Sequence, residues 1–300
     1  MKVGLVGYGY WGRILSEYIQ KDKKFDLISI YCPSTERNGL FTNDINDLFD
    51  NTDIQTIFIA SPTKTHYELG KKGLLKDKNI FCEKPLTLSF KETKELAKIS
   101  KEKNLIIQTD YVYTFSPSIN KIKEIIDGKK INYIEMNMSQ LGKYYQEDIY
   151  YTLSCHQLSI LDYLFGLDNF EFNFNDIMKN DFVRMGEILF YNDDFQGRII
   201  NSLYSPIKER YIKIYGNDFY VEYTPLKSET LKYFKIEKER PIVLCKKSFE
   251  FDENNNIELM LEDFWKCLKN KKNSNIVSSL KISEILDSRR KSQFYKREVK

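Results

Sequence analysis

The stretch Lys2-Val3-Gly4-Leu5-Val6-Gly7-Tyr8-Gly9-Tyr10-Trp11-Gly12-Arg13-Ile14-Leu15 decides how this chain is read. A short apolar run stops at the first glycine of a G-x-G-x-x-G turn. A helical pattern through Ile14, Leu15, Tyr18 and Ile19 begins at the last. Alone the motif is weak; between a strand and a helix, at the start of a βαβ unit, it is a specific sign of a dinucleotide site. Gly7 permits the tight turn, Gly9 lets a pyrophosphate reach the backbone, and Gly12 lets the helix pack closely on the strand. Tyr8, Tyr10 and Trp11 complete the turn, where N–H groups at the helix start would bind phosphate.

Outward from this turn the pattern repeats. Strands are expected at Leu27 to Tyr31, Thr56 to Ala60, Asn79 to Cys82 and Leu105 to Gln108, with helices around Ile45 to Phe49, from near Thr65, and from Ser89 to Lys103. Ser89 and Glu92 fit a capping box. Strands alternating with helices predict right-handed βαβ units around a parallel sheet, a Rossmann domain spanning 1–117. Beyond Pro117 a helix runs to Asp127 and closes on Gly128, where glycine suits a left-handed cap. Further strands are expected at Tyr133 to Ser139, Glu187 to Tyr191, Gln196 to Leu203 and Arg210 to Tyr215, with a turn at Asn192-Asp193-Asp194. Helices at Ser154 to Phe165, Ile257 to Leu268 and Val277 to Ser288 complete a C-terminal α/β domain, 118–300, with an open, mostly antiparallel sheet.

Composition narrows the classes of function. A chain of 300 residues suits two domains, and 42% hydrophobic with 30% charged residues predicts a globular protein. The 46 basic and 43 acidic residues nearly cancel to +3 and are mixed along the chain, which argues against a nucleic-acid partner. The basic stretch from Arg289 to Lys300 reads as a solvated helix end. Cys32, Cys82, Cys155, Cys245 and Cys267 show neither a CxxC pair nor a metal-ligand rhythm, so reduced thiols and no metal are expected. No apolar run approaches the roughly 20 residues that span a bilayer, and the N-terminus lacks the regions of a signal peptide. A cytoplasmic protein without a membrane partner is expected.

An NAD-specific site usually places a carboxylate about 20 positions past the glycines, on the ribose 2′-hydroxyl. Here the second strand ends in Tyr31-Cys32-Pro33-Ser34-Thr35, followed by Glu36 and Arg37. The expected acid is missing. Cys32 and Ser34 take the ribose position, and Ser34, Thr35 and Arg37 can bond a 2′-phosphate. The coenzyme expected is NAD or NADP, with NADP fitting at least as well.

Further motifs follow in order: Ala60-Ser61-Pro62-Thr63 with His66, then Glu83-Lys84-Pro85-Leu86, then His156 with Asp162 and Gly166, and an ending from Ser279-Leu280 to Ser292. With the glycine turn, this ordered set resembles the glucose-fructose oxidoreductase, inositol dehydrogenase and MocA family over nearly the whole chain. The resemblance implies a Rossmann domain followed by a domain whose sheet carries the substrate site and an oligomer interface, in a dimer or tetramer. It implies that Ala60, Ser61, Pro62, Thr63 and Glu83 border the nicotinamide coenzyme. For His66, coenzyme contact and a bond to its own loop remain equal alternatives. Lys84 is implied at both coenzyme and substrate, as the group that exchanges the proton accompanying hydride transfer. Pro85 is expected to be cis, and Glu83 to orient Lys84 through an ion pair or a backbone bond. His156 is the second catalytic candidate, since imidazole exchanges protons near neutrality. Tyr111, Tyr145 and Thr152 join Lys84 and His156 as expected substrate contacts.

One position departs from the family. Many relatives carry an aspartate one helical turn before the histidine, where this chain has Thr152, which cannot hold a charge. Either Lys84 with His156 suffices, or the fold has been kept while activity was lost or changed. Asn137, Gln140, Lys143, Tyr144, Tyr145 and Gln146 offer the polar and aromatic mixture that suits a sugar. The segments Tyr111 to Ile126, Leu141-Gly142 and His156 to Ile160 look most like members from nucleotide-sugar and surface-polysaccharide pathways. The expected activity is an NAD(P)-dependent dehydrogenase or ketoreductase acting on a carbinol or keto carbon of a sugar, with a nucleotide sugar modestly favoured. The alternatives are an inactive nucleotide-binding regulator or scaffold, and a redox-neutral NAD-dependent glycosidase.

Overall fold

The computed structural model describes residues 1–142, 146–237, 239, 242–272 and 275–298, with side chains described up to 289. The chain divides into two compact units. The first comprises Met1–Val112 with Ile257–Asp287, the second Tyr113–Asn256 with Ser288–Lys300.

In the first unit the order is β1 (Lys2–Val6), α1 (Tyr10–Lys21), β2 (Asp26–Tyr31), β3 (Phe41–Thr42), α2 (Asn46–Phe49), β4 (Thr56–Ile59), α3 (His66–Leu75), β5 (Asn79–Cys82), α4 (Phe90–Lys103) and β6 (Ile107–Thr109). The strands form one parallel sheet in the order β3-β2-β1-β4-β5-β6. Their register places Tyr31, Val6, Ile59, Cys82 and Thr109 in a single row across the sheet. All four residues of β4 are buried, as a strand covered on both faces requires. Ile57, Ile59, Ile80 and Cys82 join a core on one face with Leu74 and Leu96 from the helices. Phe58 and Phe81 turn to the other face. Helix α4 starts as expected, with Ser89 Oγ accepting from Glu92 N at 3.2 Å.

The second unit contains α5 (Pro117–Ile126), β7 (Ile131–Leu141), α6 (Cys155–Phe165) and seven more strands, β8 (Glu171–Lys179), β9 (Val183–Tyr191), β10 (Gln196–Ser202), β11 (Tyr204–Gly216), β12 (Phe219–Tyr223), β13 (Leu231–Ile236) and β14 (Val243–Phe249). They form an eight-stranded sheet in the order β14-β13-β12-β11-β7-β10-β9-β8. The pair β7–β10 is parallel and the others are antiparallel. The expected α/β class and open, mostly antiparallel sheet are therefore present. Four of its strands, β8, β12, β13 and β14, were not anticipated. Asn and Asp weaken the strand signal of β8, and every residue of β14 but Phe249 is exposed, so no burial period marks it.

The chain ends with α7 (Asn256–Asn270) and α8 (Ile276–Glu298). The expected continuous division, 1–117 and 118–300, is corrected here: residues 257–287 pack with the first unit. Phe264 of α7 supplies the reason. It is fully buried and meets Phe58, Phe81 and Phe25 at ring centroid distances of 5.7, 5.2 and 6.1 Å. With Phe25, it covers the aromatic face of the parallel sheet. Asn275 also completes the edge strand β6, accepting from Thr109 N at 3.0 Å and donating to Thr109 O at 2.6 Å. Phe264→Ala is expected to destabilise the protein by about 3–5 kcal/mol through the cavity it leaves. Urea unfolding followed by the fluorescence of Trp265, whose ring abuts Phe25, measures it.

Candidate active site

The glycine turn follows β1 directly. Gly7 has φ +97°, a conformation that L side chains rarely adopt, and an added Cβ would lie 2.5 Å from the Ala60 carbonyl oxygen. At Gly12 an added Cβ would sit 2.2 Å from the Gly7 carbonyl oxygen, so α1 can start this close to the strand end only without a side chain there. The space beside Gly9 is open, with no heavy atom within 4 Å of an added Cβ. Gly9 caps α1 without a side-chain bond and no acid occupies the first turn, so the helix's first amides point outward with no intrahelical acceptor. These features fit the pyrophosphate of a dinucleotide. Tyr10 is exposed; Tyr8 packs edge-on against Phe41, with the Arg13 guanidinium 5.6 Å from its ring. Trp11 sends its indole N–H elsewhere, to Asp110 Oδ2 at 3.0 Å.

Two more loops leave the same edge of the sheet. After β4 come Ala60, Ser61, Pro62 and Thr63, where Ser61 Oγ and Thr65 Oγ1 share a hydrogen bond of 2.6 Å. After β5 come Glu83, Lys84 and Pro85, and the Lys84–Pro85 peptide is cis as expected. His66 ties the two loops together. It is 1% exposed, with Nδ1 2.9 Å from the Pro85 carbonyl oxygen and Nε2 2.9 Å from that of Ser61. Both ring nitrogens are thus engaged by backbone, which is the loop-bonding alternative. Burial pushes the imidazole below its ordinary value against the pull of both carbonyls, and the Lys84 charge adds to the fall. Glu83 orients Lys84 through backbone, its Oε2 accepting from Lys84 N at 3.3 Å.

At the end of β2, the Cys32 thiol lies 3.5 Å from Ser34 Oγ. Hydrogen bonds from the Ser34 and Thr35 hydroxyls push it down, helped by the nearby Arg13 charge. Arg37, expected near a 2′-phosphate, pairs instead with Asp47, which Thr42 also holds. The charge that acts on Cys32 is that of Arg13, one residue past the glycine motif. Sequence reading passed over it because helical periodicity says nothing about which way a polar residue in the first turn faces.

In the second unit His156 lies on α6 and meets the ring of Tyr113 edge-on at 5.0 Å, and Tyr113 OH accepts from Arg210. The helix does not begin regularly. Tyr150–Ser154 forms a π-helical turn, and Thr152 in it is buried, its Oγ1 donating to the Ile149 carbonyl at 3.1 Å. The hydroxyl bonds within its own turn, and Thr152 lies in the π-helical turn that precedes the regular helix carrying His156. A partly buried ion network lies against this turn. Arg289, 3% exposed, donates to Asp148 Oδ2 at 2.6 Å and Asp176 Oδ2 at 2.8 Å, and stands 4.7 Å from the Tyr150 ring centre. Asn137 is buried on β7, Gln146 is exposed, and Tyr111 is 2% exposed. Tyr145, with Lys143 and Tyr144, lies outside the described residues. Among the described residues no group of acids, histidines and cysteines could hold a metal, and no helix is long and apolar enough to cross a membrane.

Two outcomes follow from this geometry. Gly12→Ala is expected to cost about 1–3 kcal/mol, because the atom it strikes is backbone; a thermal melt reads this. The depressed His66 gives a pH effect of defined sign. The unfolded chain takes up a proton at about pH 6.5 while the folded chain resists it, so stability present above that pH is lost as pH falls below it. His66→Gln should flatten this acid slope. The chain has only two histidines, so imidazole ¹⁵N shifts resolve His66 directly.

Residues 1–111 match the model of an oxidoreductase family with an NAD-binding Rossmann fold, named for glucose-fructose oxidoreductase, inositol dehydrogenase and MocA. The chain is 30% identical over 137 residues to scyllo-inositol 2-dehydrogenase (NAD(+)) of Bacillus subtilis, covering 43% of this chain and 40% of that protein. It is 28% identical over 133 residues to an uncharacterized oxidoreductase of Streptococcus pneumoniae, covering 42% and 36%. The matches span from 26% to 42% of the length of such curated relatives. Among solved structures, UDP-N-acetylglucosamine 3-dehydrogenase from Acidithiobacillus ferrooxidans superposes with a TM-score of 0.82 at 17% identity, over 95% of each chain. That likeness shows a shared fold over nearly the full chain, within which residues 1–111 match the NAD-binding Rossmann model of the glucose-fructose oxidoreductase, inositol dehydrogenase and MocA family.

Proposed function

We propose that this protein is a nicotinamide-dependent oxidoreductase that interconverts a carbinol and a ketone on a sugar, with a nucleotide sugar favoured. The observation that carries the reading is the convergence of the glycine turn, the Ser61 loop and the Lys84 loop on one edge of the parallel sheet, which is where open α/β sheets bind their ligands. The amides of Tyr10, Trp11 and Gly12 would hold the pyrophosphate, with Gly9 giving it room and Tyr8 beside it. Ala60, Ser61, Pro62, Thr63 and Glu83 would border the rest of the coenzyme. The coenzyme, when bound, supplies the hydride acceptor or donor.

This chain's own residues then have two tasks. Lys84 exchanges the proton that a carbinol loses, or a ketone gains, during hydride transfer. His156, backed by Tyr113, is the second proton-exchanging group. Support for a sugar comes from the relatives, one named for scyllo-inositol and one for UDP-N-acetylglucosamine. The end of β2 offers Cys32, Ser34, Thr35 and the Arg13 charge in place of a carboxylate, so NADP is accepted at least as well as NAD. Thr152, bonded to its own turn and uncharged, favours one other reading, a coenzyme-binding regulator without turnover.

Calorimetry with NAD, NADP and their reduced forms is expected to show binding, with NADP at least as tight as NAD. Gly9→Ala should weaken that binding while leaving the melting temperature in place, since its methyl enters open space. Lys84→Ala should lower turnover about 10²–10⁴-fold without abolishing coenzyme binding. No heat with any form of the coenzyme removes the redox reading; tight binding with no absorbance change on any sugar favours the regulator.

A further inference from the structure

The carboxyl edge of the first sheet also holds two acids that meet. Glu83 and Asp110 directly follow Cys82 and Thr109, register partners on neighbouring parallel strands. Each continues the sheet by one bond, Glu83 N to Ile59 O at 2.9 Å and Asp110 N to Cys82 O at 2.8 Å. Neighbouring strands lie about 4.8 Å apart, so register brings the two side chains together, and each carboxyl acts on the protonation of the other. Asp110 is 1% exposed, and Glu83 Oε1 is shut away from solvent.

The other hydrogen-bonding positions of the pair are filled by N–H donors. Asp110 Oδ2 accepts from Trp11 Nε1 at 3.0 Å and Asp110 Oδ1 from Val112 N at 3.1 Å. Glu83 Oε2 accepts from Lys84 N at 3.3 Å. Glu83 Oε1 alone receives no donor among the described residues. Two ionised carboxylates in such a place would repel one another with little water to screen them. A proton on Glu83 removes one charge and supplies the hydrogen that two facing carboxylates lack.

We infer that Glu83 is a neutral acid at neutral pH, that it donates its proton to an ionised Asp110, and that Asp110 is thereby a positioning residue linking Trp11 of the glycine turn to the backbone of Lys84. Burial and the Asp110 charge both push Glu83 well above the ordinary carboxylate range; burial raises Asp110 as well, but there Glu83, the Lys84 charge and the Val112 amide all oppose it, so Glu83 is the one that keeps its proton. The groups facing the pair are the Lys84 ammonium, which favours the ionised forms, and the buried Cys82 thiol, which burial keeps neutral. The inference rests on the proposed function only for the task it gives Lys84.

Infrared difference spectroscopy on the coenzyme-free full chain at pH 7 tests the protonation. The carbonyl stretch of a protonated carboxylic acid is expected in the wild type and should vanish in Glu83→Gln. Absence of that band, or its survival in Glu83→Gln, overturns the inference. The indole N–H resonances of the two tryptophans, assigned with Trp265→Phe, test the link. Glu83→Gln replaces the acid proton by an amide N–H and should leave the Trp11 resonance in place. Asp110→Asn, which cannot accept from both Trp11 and Val112 without turning a donor toward one of them, should move it and lower turnover roughly 10²-fold by displacing Lys84. An unmoved Trp11 resonance in Asp110→Asn also overturns the inference. Loss of the infrared band in Glu83→Gln without any coenzyme binding would sink the functional reading and leave the acid pair standing. Turnover without the band would do the reverse.

Discussion

Five parallel strands of the first unit stop in one row, and the arrangement of everything at that edge depends on this register. Tyr31, Val6, Ile59, Cys82 and Thr109 are partners across the sheet. The next residue along each strand is Cys32, Gly7, Ala60, Glu83 or Asp110. The row is possible only because backbone approaches backbone closely where it ends: Gly12 lies against the Gly7 carbonyl, and Gly7 against that of Ala60. A side chain at either position would push α1 off the strand end and take the helix amides away from the row. Packing at this edge therefore comes before any chemistry proposed for it.

The loops that leave the row are fastened to one another by polar groups. His66 reaches two loop carbonyls, Trp11 donates to Asp110, and the Lys84 amide donates to Glu83. Groups buried in this way must be satisfied or they cost stability, which makes their geometry specific. In the second unit the same principle operates with full charges. Arg289 with Asp148 and Asp176 is expensive to desolvate, and such a network is weak evidence for stability. Here it lies against a π-helical turn immediately before α6, the helix that carries His156.

Much of the first unit was legible because its strands are short apolar runs separated by glycine, proline and helix caps, and each signal is local. The glycine turn and the Ser89 cap lie where local chemistry places them, and the cis peptide before Pro85 lies where the family resemblance implies it. The second sheet was read less completely. Strand β14 is held by pairing with β13 and buries almost nothing, so its sequence had no pattern to reveal. The division of the chain was misread for a related reason. An amphipathic helix announces that it covers something, but Phe264 does not announce which face it covers.

By itself, then, the sequence determined the strands and helices of the first unit, its opening turn and the order of motifs along the chain, because each is marked by a local pattern, and the alternation of strand and helix implied the parallel sheet. Tertiary structure alone decided that α7 covers the aromatic face of that sheet, that Arg37 is drawn to Asp47 while Arg13 stands near Cys32, and that Glu83 meets Asp110. Those pairings join residues far apart in the chain, and their partners are set by strand register and by which helix lies across which face. Local periodicity carries neither piece of information.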